Sequence, residues 1–545
     1  MVSWSMFRYI GYGIFNDFKK RLPYYKSDFT DAYNYRVIPS TTYIFFTNLL
    51  PAIAFAQDMF DKTNDSYGVN EVLLSSAIGG VAFGLFAGQP LTITGVTGPV
   101  SIFSYTVYKL IENRDTPFFP FMCWVYLWSM VFHFIIAICN LVSWLKIISS
   151  FSCEAFGFFI NFVYITKGIE ILARQFDVSQ ASGFGSVVIA LVMLIFGIAT
   201  YVFGKYCHFL LPWIRKVFLD YGVPACVVFF TGIIHFGGAF SSTIFARLPT
   251  GNSFQPTDPS HRPYGWFIHF WEIDVSDVFL AVPFAILLTF LFYFDHNVSS
   301  LMCQTREYPL KKPASFHWDF ALLGLTTGVA GLFGFPPPNG LIPQAPLHTQ
   351  SLAVHDRYGK VISVVEQRVT NTVQGLMTFV MMSKPFLIVL GLVPQAALSG
   401  LFFIMGLTGL HESPVTDKIR YVFTENEYTS KDFDALSMMV EKLDSIKWFY
   451  IYTFLEAFIG LAEYAITVTP GAIGFPVILL ISLVAAKWIW PLFIPRSQLC
   501  ILDESIVEPE IMASLNLNQI VNKDIVSEEH EVNLEDKKKD SNTRT

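Results

Sequence analysis

Residues 72–108 read VLLSSAIGGVAFGLFAGQPLTITGVTGPVSIFSYTVY, and residues 320–354 read FALLGLTTGVAGLFGFPPPNGLIPQAPLHTQSLAV. Neither stretch contains Asp, Glu, Lys or Arg. A helix that spans a membrane needs about 20 apolar residues, so each stretch is too long for one helix. Glycine and proline interrupt both stretches, which predicts a full helix, a break and a half helix in each.

The prolines locate the predicted restart of each helix. Proline is favoured at the first helical position because its missing N–H needs no partner there. We therefore predict that half helices begin at Pro99 and Pro346, and that residues 91–96 and 341–344 are extended and pair as strands. A matched pair of broken apolar segments is typical of transporters, in which the helix N-termini form an anion site. Two proline-kinked structural helices are the alternative.

The composition of the whole chain also indicates a membrane protein. Of its 545 residues, 53% are hydrophobic and only 14% are charged, whereas soluble domains have about 25% charged residues. Too few charges remain to coat soluble domains, which excludes a soluble enzyme, a disordered chain and a nucleic-acid-binding protein. We expect an all-α polytopic protein in the lipid bilayer.

The positive charges predict the topology. Other uncharged runs bring the predicted total to 14 transmembrane segments, with spans 3 and 10 as the half helices. Of the 36 Lys and Arg residues, 27 fall in segments assigned to the inside. The outside segments hold Lys62, Arg114, Arg174, Arg247 and Arg262. By the positive-inside rule, both termini are predicted to be cytoplasmic.

Several motifs resemble the anion-exchanger family of bicarbonate and borate transporters. They are NLLPAIAFA (48–56), QPLTITGVTGPVSIF (89–103), DYGVPACVVFFTGIIHF (220–236), FDHNVSSLM (294–302) and the stretch 316–352. The resemblance covers about residues 25–495 and is closest to the borate exporters of fungi and plants. YYKSDFTDAYNYRVIPSTTYIFF (24–46), GFPPPNGLIPQAPLHTQSL (334–352) and Phe294-Asp295-His296 suit that branch.

The resemblance implies an architecture for the whole chain. Seven helices are repeated with inverted topology (7+7), a core domain moves like an elevator against a gate domain, and gate domains form a homodimer in the plasma membrane. The implied division is a short cytoplasmic N-terminal segment (1–36), core (37–145, spans 1–4), gate (146–245, spans 5–7), an extracellular loop (246–274), core (275–394, spans 8–11), gate (395–495, spans 12–14, with a polar insertion at 413–446) and a disordered cytoplasmic tail (496–545).

Asp295 is the first candidate for a functional residue. An acidic residue at membrane depth is costly and is therefore expected to have a function. Asp295 matches the family's carboxylate on the eighth helix, where a proton or the substrate is handled, so we predict that it couples transport to protons. In the alternative, it lies in water at the cytoplasmic end of the helix. The predicted substrate-binding residues beside the two breaks are Thr94, Thr97, Gly98, Asn339, Gln344, Ala345, Leu347 and His348.

Gln344 bears on the substrate. The bicarbonate exchangers of the family carry an Arg at this position, and Gln offers donors and an acceptor without a charge. This favours a polyhydroxyl species near neutrality, and we predict a proton-coupled exporter of boric acid or borate. The alternatives are a bicarbonate or chloride exchanger of the same fold, a membrane scaffold or sensor that moves no solute, and an ion channel.

Two further predictions concern regions outside the breaks. Glu456, Gly460 and Glu463 share one helix face, which must line a cavity or pack on polar partners, and we favour a structural role. The polar tail is predicted to be disordered. We expect no enzymatic activity and no cofactor or metal, because the sequence contains no G-x-x-x-x-G-K-[ST] motif and no metal-ligand spacing.

Overall fold

The computed structural model describes residues 10–515 except residues 115, 208, 210, 237–242, 357–359, 426, 427, 430–432, 470, 505, 506 and 508. The predicted terminal segments therefore lie partly outside the described residues. The described chain is mostly helical. The helices before residue 275 are α1 (Tyr12–Arg21), α2 (Ser27–Thr30), α3 (Val37–Lys62), α4 (Val69–Phe86), α5 (Gly98–Ile111), α6 (Phe118–Ile138), α7 (Ser150–Val178), α8 (Gln180–Tyr206) and α9 (Pro212–Ile233).

The second half of the chain has the same character. Its helices are α10 (Val275–Met302), α11 (His317–Phe333), α12 (Gln344–Ser351), α13 (Val369–Val380), α14 (Lys384–Leu390), α15 (Gln395–Glu412), α16 (Pro414–Phe423), α17 (Asp434–Glu441), α18 (Lys447–Thr467), α19 (Phe475–Val484), α20 (Trp490–Phe493), α21 (Arg496–Leu502) and α22 (Pro509–Ser514). Single 3₁₀ segments cover Leu22–Tyr24, Leu141–Ile147, Pro259–His261 and Ala472–Gly474, and Ala485–Ile489 is a π-helical turn.

The strands are short and form two separate pairs. They are β1 (Thr94–Gly95), β2 (Asn339–Gly340), β3 (Ala353–His355) and β4 (Val361–Val364). β1 pairs with β2 across the two halves of the chain, and β3 pairs with β4 as a hairpin.

Nine helices of the described residues are long and apolar enough to cross a membrane. Helices α13 and α14 make a tenth candidate if they are counted as one span, which is bent by 84°. The exact prediction of 14 spans is not reached by this criterion, because α11 has only 17 residues and the 18-residue α15 does not meet the test. Two other predicted spans are shorter still, since α5 has 14 residues and α12 has 8. These two helices are the predicted restarts after the breaks.

The predicted starts of these short helices need a correction. α5 begins at Gly98, so Pro99 is its second residue, and α12 begins at Gln344, so Pro346 is its third. The predicted strand at 341–344 was also wrong, since the pairing residues are Asn339 and Gly340. Pro343 explains both shifts at the second break, because its φ of −70° and ψ of −38° are already helical.

The long helices pack in two sets. In the first set, α6 packs on α10 and α11, and α13 packs on α3 and α4. In the second set, α7 packs on α8, α15 and α18, and α8 packs on α9 and α15. α3 also contacts α9 and α15, so it lies at the boundary between the sets.

The start of the tail is ordered, which corrects the prediction of disorder from residue 496 onward. Helices α21 and α22 lie in this part, and Val507 and Leu515 are each only 1% exposed. Both residues belong to the main hydrophobic cluster, together with Ile511 and Met512 at its edge. Burial of these apolar side chains stabilises the segment, although the tail as a whole is polar in composition. The prediction for residues 516–545 lies outside the described residues.

Candidate functional site

A short antiparallel ladder joins the two interrupted stretches. Thr94 lies opposite Gly340 and Gly95 lies opposite Asn339. The ladder is extended by the N–H of Leu341, which donates to the carbonyl oxygen of Ile93 at 2.9 Å. Because α5 and α12 begin a few residues after these strands, the ladder brings their N-termini together.

The two N-termini differ in their caps. The side chain of Thr97 accepts a hydrogen bond from the N–H of Val100 at 3.4 Å and so caps α5. α12 follows Pro343, whose side chain has no polar atom with which to cap it. Both helices present the positive end of their dipole toward the region between the strands, which favours an electron-rich group there.

Gly340 allows α10 to lie directly against the ladder. A Cβ atom at this position would lie 2.8 Å from the Cα of His296 and 2.9 Å from the Cβ of Ser299. Any larger residue would therefore push α10 away from β2. This close approach positions Asp295, the residue before His296, beside the breaks.

Asp295 is buried and not in bulk water. Its side chain is 2% exposed, and its Oδ2 accepts a hydrogen bond from the Nδ2 of Asn339 at 3.1 Å. Its Oδ1 has no hydrogen-bond partner within the described part of the chain. A carboxyl group without a cation in such a place is costly unless it serves a purpose.

A small cavity of about 30 Å³ lies between the two breaks and Asp295. A volume of about 10–15 Å³ on this measure holds one water, so the cavity admits a very small polar solute. It is lined by Asn48, Pro51, Phe55, Val96, Thr97, Gly98, Pro99, Phe156, Ile160, Tyr164, Asp295, Gly340, Leu341, Ile342, Pro343 and Gln344. Residues from both breaks thus share one wall with the buried carboxyl group.

The wall carries polar atoms that are available to a solute. Within the described chain, the Oδ1 of Asn48, the Oδ1 of Asp295 and the Oε1 of Gln344 have no hydrogen-bond partner. The other amide atoms are held in place, since the Nδ2 of Asn48 donates to Gln374 at 3.1 Å and the Nε2 of Gln344 donates to the carbonyl of Thr47 at 3.3 Å. The residues of this wall therefore hold three buried acceptors without a partner in the described chain, which suits a solute that donates hydrogen bonds.

The described residues that line this cavity include no Lys or Arg. Among them, Asp295 and Tyr164 are the ionisable ones, so the positive potential comes from the two helix N-termini. A strong, permanently charged anion would meet the carboxyl group of Asp295 without a full countercharge. The wall suits an uncharged or weakly acidic solute better.

Four of the nine predicted site residues line this cavity, namely Thr97, Gly98, Gln344 and Asp295. Asn339 lies directly behind Asp295 and orients it. Leu347 lines only the larger cavity described below. The structure does not bring Thr94, Ala345 or His348 to either wall, and their roles as substrate contacts stay predictions.

His348 has a structural partner. Its Nδ1 donates to the carbonyl oxygen of Leu91 at 2.8 Å, which ties α12 to the chain before β1. The bond fixes the hydrogen on Nδ1 and leaves the Nε2 as a lone pair without a partner in the described residues. The imidazole is fully buried and lies in the last turn of α12.

A larger cavity of about 700 Å³ continues from the small one. The two share Pro51, Tyr164, Pro343 and Gln344. α3 and α12 form one wall of the larger cavity, and α7, α8, α9 and α15 form the other. Lys205, Arg215 and Lys216 lie in it, which are residues that the charge pattern assigns to the cytoplasmic side.

Sequence reasoning missed the two other polar side chains of the small cavity, Asn48 and Tyr164. Asn48 falls in a motif that was recognised as a whole, and only its unsatisfied Oδ1 distinguishes it. Tyr164 lies in α7, three residues before the buried Lys167, but that cation pairs with a carboxylate of α3 and does not mark Tyr164 as a cavity residue. Its ring packs against Phe55 and Phe402, with centroids 6.0 and 6.1 Å apart.

Paired helix breaks inside a bundle of apolar helices define the class of membrane transporters. The family comparison agrees. Residues 8–191 and 177–507 match the family described as the HCO3− transporter integral membrane domain. The chain belongs to this family, whose members are membrane transporters and not enzymes.

The relatives include proteins of yeast and plants. The chain is 50% identical to Boron transporter 1 of Saccharomyces cerevisiae over 95% of its own length and 90% of the relative's. It is 30% identical to Probable boron transporter 7 of Arabidopsis thaliana over 63% of its own length and 54% of the relative's. The solved transmembrane domain of the cyanobacterium bicarbonate transporter BicA is similar in fold, with a TM-score of 0.51, 13% identity, and coverage of 79% of this chain and 98% of that one.

Proposed function

We propose that the protein is a secondary active exporter of boric acid or borate. The small cavity carries the proposal, because its described lining combines two helix N-termini with three acceptors that lack a partner, one of them on the carboxyl group of Asp295, and includes no Lys or Arg. Boric acid is uncharged near neutrality and carries three hydroxyl groups, each of which donates one hydrogen bond and accepts others. Such a solute matches the wall without a fixed countercharge.

The residues have defined roles in this proposal. Asn48, Gln344 and Asp295 accept hydrogen bonds from the boron hydroxyl groups, and the N-termini of α5 and α12 stabilise any negative charge that borate brings. Asp295 accepts or releases the coupled proton, since it is the buried carboxyl group that touches the cavity. Asn339 holds it in place.

We further propose alternating access by an elevator-like movement. The two helix sets supply the moving units, with the first set as the core domain and the second as the gate domain. The larger cavity between them is the open pathway, and its basic residues support an opening toward the cytoplasm. The recurrence of a two-residue strand followed by a short helix in each half supports an inverted 7+7 repeat of 14 spans.

The name of the yeast relative, Boron transporter 1, supports boron as the cargo. The proposal includes a homodimer formed through gate domains in the plasma membrane, with both termini in the cytoplasm. The charge pattern of the sequence supports that orientation.

Boron flux tests the proposal. Purified protein in liposomes loaded with boric acid should release boron faster than protein-free liposomes, and Asp295→Asn should lose most of this excess. Asp274→Asn is the matched control, since Asp274 is exposed at the other end of the same helix and its side chain caps nothing. Wild-type release no faster than that of protein-free liposomes would contradict the boron cargo.

Bicarbonate or chloride exchange is the second candidate. The description of the matched family and the helix N-termini at the cavity favour it. The same liposomes test it, because chloride-dependent bicarbonate flux without boron flux would replace our proposal. Flux of neither solute, with binding retained, would favour a scaffold or sensor.

A further inference from the structure

Glu463 is a buried acid that none of the site residues explains. It lies on α18, its side chain is 1% exposed, and both carboxyl oxygens lack a hydrogen-bond partner within the described chain. Glu456, two turns earlier on the same face, is paired with the Nζ of Lys418 at 2.8 and 2.9 Å. The predicted structural role of this face therefore fits Glu456 but leaves Glu463 unexplained.

The surroundings of Glu463 supply another carboxyl group and no available cation. Its carboxyl group interacts electrostatically with that of Asp295 on α10. α7, which packs against α18, contributes Tyr164, which also interacts with Asp295. The next cation on α7 is Lys167, which is held by Asp58 at 3.1 Å and by the hydroxyl of Tyr105 at 3.0 Å.

The remaining neighbours of α18 add no available charge at this point. α19 and the segment Ala472–Gly474 contain no titratable residue. α21 also contacts α18, but its Arg496 is exposed to solvent. α16 contributes Lys418, but this residue bonds Glu456 and Glu154. Tyr464, next to Glu463 on α18, pairs its hydroxyl with Thr166 at 2.7 Å.

Two carboxyl groups in this setting do not ionise together. Each negative charge would lose its hydration, and the two would repel each other at low dielectric constant. Asp295 is the better place for the charge, because Asn339 donates to it and it lies at the cavity beside the helix N-termini. Glu463, which receives no hydrogen bond in the described chain, is left with the proton.

We propose that Glu463 is a second coupling residue, which holds a proton on the gate side while Asp295 of the core stands near it. This inference rests on the proposed proton-coupled movement of core against gate. When α10 moves away from α18, the repulsion between the two groups ends and Glu463 releases its proton to water that enters the opened interface. The number of protons that the two carboxyl groups hold therefore depends on the position of the core.

Infrared spectroscopy tests where the proton resides, whatever the cargo is. A protonated buried carboxyl group gives a carbonyl stretch that a carboxylate lacks. We expect the difference spectrum between the wild type and Glu463→Gln near neutral pH to contain this band, and Asp295→Asn to leave the wild-type band unchanged. A band that survives in Glu463→Gln at wild-type strength would overturn the proposal.

The pH dependence of boron efflux tests the coupling. In Glu463→Gln, the change of rate between about pH 6 and about pH 7 should shrink by roughly tenfold, the change that one titrating group gives per pH unit. The matched control is Thr453→Val, because Thr453 lies buried on the same helix and its hydroxyl also lacks a partner among the described residues. It should keep the wild-type profile.

The outcomes separate the two proposals. An unchanged pH profile in Glu463→Gln would contradict the coupling role even if boron is carried. Absence of boron flux in the wild type, together with an infrared band that depends on Glu463, would reject the cargo and retain the proton on Glu463. If Glu463→Gln is inactive at every pH, loss of the band still supports the proton on Glu463, and a retained band contradicts it.

Discussion

At the scale of single residues, Gln344 decides the charge of the cavity. It is the side chain that reaches both cavities from the first turn of α12, and its Oε1 is unsatisfied among the described residues. An Arg here would add a permanent positive charge next to Asp295 and to a helix N-terminus. The selectivity of the site should therefore change at this position.

We predict that Gln344→Arg lowers boron efflux by about tenfold, equivalent to about 1.4 kcal/mol, and introduces chloride or bicarbonate flux. The added cation pairs with Asp295 and attracts inorganic anions. Flux of each solute in liposomes measures the change. Gln350→Arg is the matched control, because Gln350 lies on the same helix and lines only the larger cavity. Equal effects of the two substitutions would contradict a specific role for residue 344.

Asp17 is a buried titratable residue outside the membrane helices, and its protonation affects the stability of the folded chain. Its Oδ2 accepts hydrogen bonds from the N–H of His317 at 2.8 Å and of Trp318 at 3.1 Å, so it caps α11. Burial, and then the nearby charge of Asp319, raise the pKa of Asp17 to about 7, although the two backbone bonds lower it. Protonated Asp17 therefore favours the folded state relative to the unfolded state, in which its pKa is about 3.8.

The pH dependence follows from the sign of this shift. The stabilisation by protonated Asp17 is fully present below pH 3.8 and is lost as the pH rises toward and through about 7. We predict that the apparent Tm of the wild type falls across this window and that Asp17→Asn shows a smaller fall, because an amide does not titrate. Heating in detergent followed by size-exclusion chromatography at each pH measures this. Parallel curves for the two proteins would contradict the assignment.

Some of these residues could be predicted from the sequence and others could not. Asp295 was predictable because charge is rare at membrane depth, and Gln344 because it stands where related sequences carry Arg. Tyr164 and Asn48 give no such signal, since a tyrosine or an asparagine in an apolar helix is equally compatible with ordinary packing. Thr94 and His348 lie in the right motif, but the direction of their side chains depends on the ladder register.

At the scale of elements, the ladder between β1 and β2 sets the geometry of the site. Only two residues of each strand pair, yet they fix where α5 and α12 begin and how α10 approaches. The breaks were predictable from glycine and proline, while their register was not. Register depends on the helical geometry of Pro343 and on contacts from α10, whose residues His296 and Ser299 lie more than forty residues before Gly340 in sequence.

Gly340→Ala tests the close approach of α10 to this ladder. A Cβ atom 2.8 Å from backbone would force α10 to shift, and such overpacking costs about 1–3 kcal/mol. We predict a lower apparent Tm together with loss of boron flux, because Asp295 would move away from Asn339. The control is Gly157→Ala on α7, where an added Cβ meets nothing within 4 Å and alanine favours the helix. A tolerated Gly340→Ala would contradict the argument.

At the scale of the whole molecule, two sets of contacts join helices of the proposed core to helices of the proposed gate. At one end of α3, Asp58 pairs with Lys167 at 3.1 Å and with Arg174 at 3.1 Å, both on α7. The opposite half of α3 lines the open cavity. Hydropathy and charge could predict the spans, but not these contacts, because they join charged residues distant in sequence whose partners only the packed structure defines.

The second set of contacts lies in the tail. The N–H of Phe151, at the start of α7, donates to Asp503 at 3.0 Å, and the hydroxyl of Tyr452 donates to the same oxygen at 3.3 Å. Glu504 pairs with Arg306, and Val507 forms an antiparallel bridge with Thr305, both just after α10. Asp503, Glu504 and Val507 therefore link helix α7 of the proposed gate to the end of α10 in the proposed core.

This link should restrain the movement that transport requires. We predict that a chain ending at residue 502 carries boron faster than the full chain but has a lower apparent Tm, because it loses both the link and the buried side chains of Val507 and Leu515. A chain ending at residue 515 keeps every described contact of the segment and should match the full chain in rate and Tm. A merely structural segment would lower flux and Tm together, so slower transport by the shorter chain would contradict a conformational restraint. Faster transport despite lower stability would show that the segment after residue 502 limits the rate of core movement.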